Sequence, residues 1–347
     1  MKLSELLTIK YGKDQKKVLC DNGQYPIYGS AGVFGRADTF LYDKPSILIG
    51  RKGTIDKPLF VDKPFWAVDT MFYTIINEQQ VIPKYIYYKL LSVDFLSLNE
   101  GTTIPSLRNE TLNNLEISID DASDQQHIVN ILGSLDDKIE NNEKLVQKLE
   151  QLMELEFERA LKENPTTQTS LLDIAGFLNG LAMQKFRPDD DEKYIPVIKI
   201  KELGQGFADD NSDRASTNIN PAYIVNDGDI IFAWSGTLLV KIWCGGIGGL
   251  NQHLFKVSSK KYPKWFYYLW TKKHLKQFQS IAQGMATTMG HIKRSDLEKA
   301  QVQIFDEATF KKLDNIFVPL IDRIVATQID SKKLNELKAM YLKKFFG

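Results

Sequence analysis

The sequence predicts an α+β protein built twice over: two pseudo-repeated strand-rich domains, each followed by a long helix. Three observations predict it. Blocks of the first half recur, in order, in the second half at a nearly constant offset. Short runs of β-branched and aromatic residues are bounded by glycine, proline and aspartate, as strands are. Two other stretches space their apolar residues in alternating steps of four and three, the pattern of a coiled-coil seam.

The repeat sets the boundaries. SILIGRKGTI (46–55) lines up with DIIFAWSGTL (229–238), and AVDTMF (67–72) with LNQHLF (250–255), both at an offset of 183 residues. PKYIYYKL (83–90) echoes PKWFYYLW (263–270), and SLRNETLNNLEISI (106–119) falls on HIKRSDLEKAQVQI (291–304) at an offset of 185. The expected organisation is a first strand-rich domain over residues 1–103, a first helical region over 104–165, a second strand-rich domain over 166–290 and a second helical region over 291–347.

In chain order, residues 47–49 and 72–76 read as strands, and PKYIYYKLL as a short helix begun by proline. Ser123 offers an N-cap for the first long helix, with Gln126 at the capping-box position. Its seam is Ile128, Leu132, Leu135, Ile139, Val146, Leu149 and Met153, with Asn142 in the one gap. KENPTTQTS (162–170) reads as a linker and AGFLNG (175–180) as a turn-rich opening to the second domain. Residues 230–234 and 254–257 are strands again, and PKWFYYLW a second short helix. The last helix carries Leu313, Phe317, Leu320, Ile324 and Leu334 on its seam.

Charge supports pairing of the two helices. The chain is neutral overall, with 44 basic and 44 acidic side chains, which is mild evidence against a nucleic-acid binder. The distribution is uneven, however. Residues 104–165 carry 6 basic and 14 acidic side chains, whereas residues 291–347 carry 11 and 8. An acidic helix and a basic one from the same chain favour each other as partners.

Several function classes find no support. The two cysteines, far apart in sequence, point to a reducing compartment, and no apolar run is long enough to span a membrane; a cytoplasmic location is expected. GRKGT lacks the spacing of a phosphate-binding loop, and no GxGxxG occurs. No motif for amino methylation and no convincing AdoMet loop is present. The four histidines stand at no metal-ligand spacing, so no metal is expected. RPDDDEKY (187–194) crowds its carboxylates into one polar stretch and reads as a surface loop. The expectation is therefore a chain with no catalytic residues and no cofactor of its own.

The repeated hairpin suggests what the chain does instead. The strand and the Gly-Thr pair persist between copies, while Arg51 and Lys52 become Trp234 and Ser235. A reading surface keeps its frame and varies its tip. Arginine bonds guanine bidentately, hydroxyls reach bases or phosphates, and lysine supplies phosphate contact. Thr54 and Thr237 follow each tip. Other loops fit the same pattern. YPIYGSAGVFGR (25–36) offers Tyr28, Ser30 and Arg36, and EGTTIPSLR (100–108) offers Thr102, Thr103 and Arg108. QGMATTMGHIKR (283–294) offers Thr287 and Thr288. IPVIKIKELGQG (195–206) places Lys199 and Lys201 on one face of an expected strand.

The ordered set YPIYGSAGVFG, SILIGRKGTI, VDTMFY, GTTIPSLRNETLNNLEISI and DQQHIVNILGSLDDKIENN resembles one half of a type I restriction-modification specificity (S) subunit. YIPVIKIKEL, GDIIFAWSGT and LNQHLF resemble the other half. The resemblance implies two target recognition domains joined by an antiparallel helix pair. Each domain would read half of a split double-stranded DNA target, with the helices as spacer. A helix of about 37 residues is ~55 Å long, ample for two major-groove sites ~34–36 Å apart. It also implies two methyltransferase subunits that bring AdoMet, and motor-nuclease subunits in the full complex. On the residues alone, a stand-alone DNA-modifying enzyme and a coiled-coil scaffold without a DNA role stay open.

Overall fold

The computed structural model describes residues 1–284 and 290–347. It divides into two units. One comprises residues 1–138 and 335–347, the other residues 139–334.

Both units are built on a four-stranded antiparallel sheet of the same topology. In the first, the order is Leu7–Tyr11, Met71–Ile76, Ser46–Gly50, Leu59–Val61. In the second it is Gly176–Asn179, Leu254–Ser258, Ile230–Ala233, Leu239–Ile242. Register repeats as well. Ile49 faces Phe72 in one sheet and Phe232 faces Phe255 in the other, which also makes Tyr11 and Asn179 equivalent, since each stands opposite that phenylalanine. The central strand Ser46–Gly50 is buried along its whole length, as is Ile230–Ala233; these runs are strands as expected, and both of their faces are covered. The expected turn at 175–180 is thus in part the strand Gly176–Asn179. Its apolar Phe177 and its ladder to Leu254–Ser258 outweigh the local glycine signal.

A second, smaller sheet also recurs. Tyr25–Gly29 runs parallel to Trp66–Ala67, and Tyr194–Ile198 parallel to Gly248–Leu250. The copies diverge at one turn. In the first unit the chain returns at once into Gly32–Ala37. In the second, the helix Ile200–Gln205 and a loop are inserted before Arg214–Ser216. Lys199 and Lys201 therefore do not share a strand face. The strand ends at Ile198, Lys199 precedes the helix and Lys201 lies in its first turn.

The first long helix runs Ala122–Glu163 and the second Glu307–Phe346. The first begins on Asp121, whose carboxylate accepts from the Asp124 amide (2.9 Å), so the cap lies two residues before Ser123. Residues 104–121 and 291–306, expected to belong to the helical regions, precede the long helices and hold short elements instead, among them Gln301–Phe305. That strand pairs with Thr166–Ser170, so the expected linker is half of a two-stranded sheet. PKWFYYLW opens a helix of 20 residues, Lys264–Gln283, longer than expected.

The two long helices run antiparallel. In the second unit Asn142 donates to Asp330 (2.8 Å) and Phe157 meets Phe317 edge-on (6.3 Å). In the first unit Lys338 pairs with Asp136. Residue numbers rise on one helix as they fall on the other. The polar Asn142 in the seam is buried, and its bond to a single acceptor suits a residue that fixes register. Ile128, Leu132, Met153, Leu313, Phe317 and Ile324 are buried as expected, while Leu135, Ile139, Val146, Leu149, Leu320 and Leu334 are half-buried. Ile321, not Leu320, fills the fully buried place between Phe317 and Ile324.

Each unit holds part of both helices. The core of the first contains Ile128 and Leu132, with Tyr341, Leu342, Phe345 and Phe346 packed against it. The core of the second contains Met153, Phe157 and Ala160 beside Leu313, Phe317, Ile321 and Ile324. The repeated helix after each sheet provides the polar anchors. Tyr88 donates to Asp136 (2.7 Å) and Tyr268 to Glu150 (2.9 Å). Burial raises the pKa of both hydroxyls well above the ordinary tyrosine value, and the carboxylate partner of each raises it further. Charge is used only in part as expected: Lys338 of the basic helix pairs with Asp136 of the acidic one. Glu150, Glu154 and Glu158 of the first long helix pair with Lys272 and Lys273 of Lys264–Gln283, not with the second long helix.

The cysteines occupy opposite environments: Cys20 is exposed and Cys244 is buried. Burial pushes the Cys244 thiol pKa up to about 11. At pH 8 that thiol is almost wholly protonated, and the thiolate is the reactive form. Iodoacetamide is therefore expected to modify Cys20 alone in the native protein. Peptide mass mapping should find Cys244 labelled only after denaturation.

Candidate nucleic-acid interface

The two repeated hairpins end in tips strapped to the loops that precede the long helices, and the straps match bond for bond. In the first unit Gly53 N–H donates to the Pro105 carbonyl (2.9 Å), Leu107 N–H to Arg51 (2.9 Å) and Arg51 N–H to Thr70 (2.8 Å). In the second, Gly236 donates to Gly290 (2.8 Å), Ile292 to Trp234 (3.1 Å) and Trp234 to His253 (3.3 Å). Gly53 and Gly236 both have positive φ, +92° and +64°, which glycine adopts without a Cβ penalty. Gly50 is required for a different reason: a Cβ there would lie 1.9 Å from the Thr54 carbonyl oxygen.

Around the first tip the candidate residues converge. Lys52 is exposed, Arg51 and Thr54 are half-buried, and the Ser30 hydroxyl lies 3.0 Å from where a Cβ of Gly53 would be. Thr102 and Thr103 are exposed on the strapped loop, whose neck Asn99 closes by accepting from the Gly101 (2.8 Å) and Ser106 (2.9 Å) amides. Arg108 follows, paired with Glu100 at 2.9 Å. Tyr28 is half-buried, its ring edge-on to Phe65 and its pKa raised by burial, so it serves the core. Arg36 is exposed and reaches back to the Gln24 carbonyl (3.3 Å).

The second tip is different. Ser235 is buried, and its hydroxyl shares a 2.8 Å hydrogen bond with His253 Nδ1, so it does not face a ligand. Trp234 donates to Asn179 (2.9 Å) and stacks on Phe255 with centroids 5.6 Å apart. Its indole is a packed wall of the tip rather than a free reading group. Thr237 is exposed. Thr287 and Thr288 lie outside the described residues. Lys199 pairs with Asp213, and Lys201 with Asp209 at 3.2 Å, so carboxylates of the same inserted loop neutralise both. Among the described residues no cluster of His, Cys, Asp and Glu is arranged to hold a metal, and no helix is long and apolar enough to cross a membrane.

The family model for the type I restriction modification DNA specificity domain matches this chain twice, over residues 1–151 and 166–339. The chain belongs to that specificity family. The two matches coincide with the two copies of the sheet, hairpin and strap. Among curated relatives of the specificity family, the type I restriction enzyme MjaIX specificity subunit of Methanocaldococcus jannaschii is 24% identical over 339 residues, 88% of this chain and 78% of that one. The HindI specificity subunit of Haemophilus influenzae is 32% identical over 108 residues, 28% of this chain and 24% of the relative. The crystal structure of the type I restriction-modification S subunit from M. genitalium shares the fold, with a TM-score of 0.60 and 17% identity, covering 100% of this chain and 95% of the other.

For a specificity-family protein, one group at the first tip escapes sequence reasoning. Tyr11 is exposed on the sheet edge, and the Arg51 guanidinium lies 5.7 Å from its ring centroid. The sequence repeat sets Arg51 against Trp234, whereas the equivalence of Tyr11 with Asn179 comes only from the strand ladders.

Proposed function

We propose that this chain is the sequence-reading subunit of a type I restriction-modification complex, each unit contacting one half of a bipartite double-stranded DNA target. The observation that carries this reading is the hairpin frame built twice with matching straps and different tips. Exposed cations and hydroxyls at the first tip, Lys52, Thr102 and Thr103, suit backbone contacts that orient the duplex. The tip residues that differ between units supply different half-site preferences. The helix pair serves as spacer and as the docking surface for two methyltransferase subunits, which bring AdoMet and extrude the target base. Motor-nuclease subunits complete the assembly, and the chain acts without catalysing, in the cytoplasm. Phosphate neutralisation shared with those partners reconciles zero net charge with DNA binding.

Co-expression with the methyltransferase partner and base-resolution mapping of methylated DNA tests this. Two short specified blocks separated by a fixed unspecified gap are expected. Methyl transfer or cleavage by the purified chain alone, or a complex whose binding ignores both DNA sequence and salt, would overturn the reading.

A further inference from the structure

Within the first unit, one shallow groove beside the hairpin tip is lined by Tyr11, Arg51, Arg108, Asn109 and Asn113 together with the carboxylate-bearing Glu110. Both arginines are held there through Nε, Arg51 by a neutral carbonyl and Arg108 by a carboxylate that offsets its charge. Arg51 donates its Nε–H to the Asp69 carbonyl (2.9 Å), and Arg108 Nε lies 2.9 Å from Glu100. A guanidinium carries five N–H donors. Anchoring through Nε leaves the two terminal amino groups as an end-on fork, which matches two acceptor oxygens, or an oxygen and a ring nitrogen, side by side. The Tyr11 ring supports the Arg51 plane from one side. The Asp69 carbonyl is neutral, so it orients Arg51 without cancelling its charge.

The repeat makes the contrast. The equivalent of Arg51 and Tyr11 is Trp234 and Asn179, a neutral pair closed on itself by a 2.9 Å hydrogen bond. An identical frame thus holds a closed pair in one unit and an open fork in the other. A residue kept only to pack the frame needs no outward donors.

We propose that this groove is a DNA-acceptor clamp in which Arg51, oriented by the Asp69 carbonyl and Tyr11, makes a bidentate contact to a guanine edge or a phosphate of the first half-site, with Arg108 beside it. The proposal rests on the DNA-reading role proposed above. Two ligand atoms share this chemistry: guanine O6 and N7, or two phosphate oxygens.

The test uses the complex of this chain with its methyltransferase partner and DNA carrying the motif mapped for the wild type. A guanine contact predicts that Arg51→Lys relaxes one base position in one half of the motif, with a preference loss of about five- to hundredfold. A phosphate contact predicts that Arg51→Gln leaves the motif intact but lowers the slope of log affinity against log salt by about 0.9, with Arg51→Gln/Arg108→Gln lowering it further. Either result supports the clamp. Retention of both motif and salt slope in a double variant that melts like the wild type overturns it. A wild-type complex with no bipartite motif would instead sink the DNA-reading role itself.

Discussion

Replacing Phe317 with alanine is expected to lower the unfolding free energy of the second unit by about 3–5 kcal/mol. Phe317 is fully buried at the seam of the second long helix. Its ring stacks on Trp265 with centroids 4.4 Å apart and an 18° interplanar angle, and meets Phe157 of the first long helix edge-on. One side chain therefore joins three helices: both long ones and Lys264–Gln283. The indole of Trp265 is itself fixed by its bond to Asp314 (2.6 Å), so it cannot swing into the space left behind. The cavity stays open, and its cost adds to the lost burial. Urea unfolding followed by tryptophan fluorescence measures the change, since Trp265 reports directly. Met340→Ala, at a residue 69% exposed, is the control and should fall within about 0.5 kcal/mol of wild type. Equal effects for the two variants would refute the assigned seam.

The second large effect is expected from Gly50→Ala. The added methyl would meet the Thr54 carbonyl oxygen at 1.9 Å, and the next contact is Thr54 backbone carbon at 2.9 Å. Backbone on a strapped hairpin cannot yield as a flexible side chain would. The tip must move, and the bonds from Gly53 to Pro105 and from Leu107 to Arg51 go with it. A loss of about 2–4 kcal/mol is expected, from backbone strain together with the broken strap hydrogen bonds. Because the substitution carries no charge, any change in DNA recognition acts through the position of the tip, with Arg51 and Lys52, and of the loop strapped to it. Methylation mapping of this variant should therefore show the first half of the motif degraded and the second half kept. Loss of both halves would mean that the defect is global unfolding, which thermal melting of the same complex reports.

The duplication, the central strands and the two long helices were legible in the sequence because their signals are local. A four-three apolar rhythm or a β-branched run specifies its element with no knowledge of what it packs against. Thr166–Ser170 shows the limit. It reads as a polar linker, and only the distant Gln301–Phe305 makes it a strand, by satisfying its backbone groups. Asp121 displaces Ser123 as the cap for a related reason. Several residues in that stretch qualify chemically, and the path of the preceding chain chooses among them.

At the interface the division is sharper. Residue types and repeat spacing located both tips and named Arg51, Lys52, Thr102, Thr103 and Arg108, since a changed tip on a constant frame is visible by alignment. Sequence carries no measure of which way a side chain faces or what neutralises it. Ser235 turned out to be buried on His253, and Lys199 and Lys201 to be paired with Asp213 and Asp209. Tyr11 and Asp69, far from residue 51 in the chain, became its neighbours only through the sheet. The sequence by itself determined that this protein is built twice, with paired helices and two differing tips. Only the tertiary structure decided which tip presents open donors, because burial and charge pairing are set by residues that folding, not sequence order, brings together.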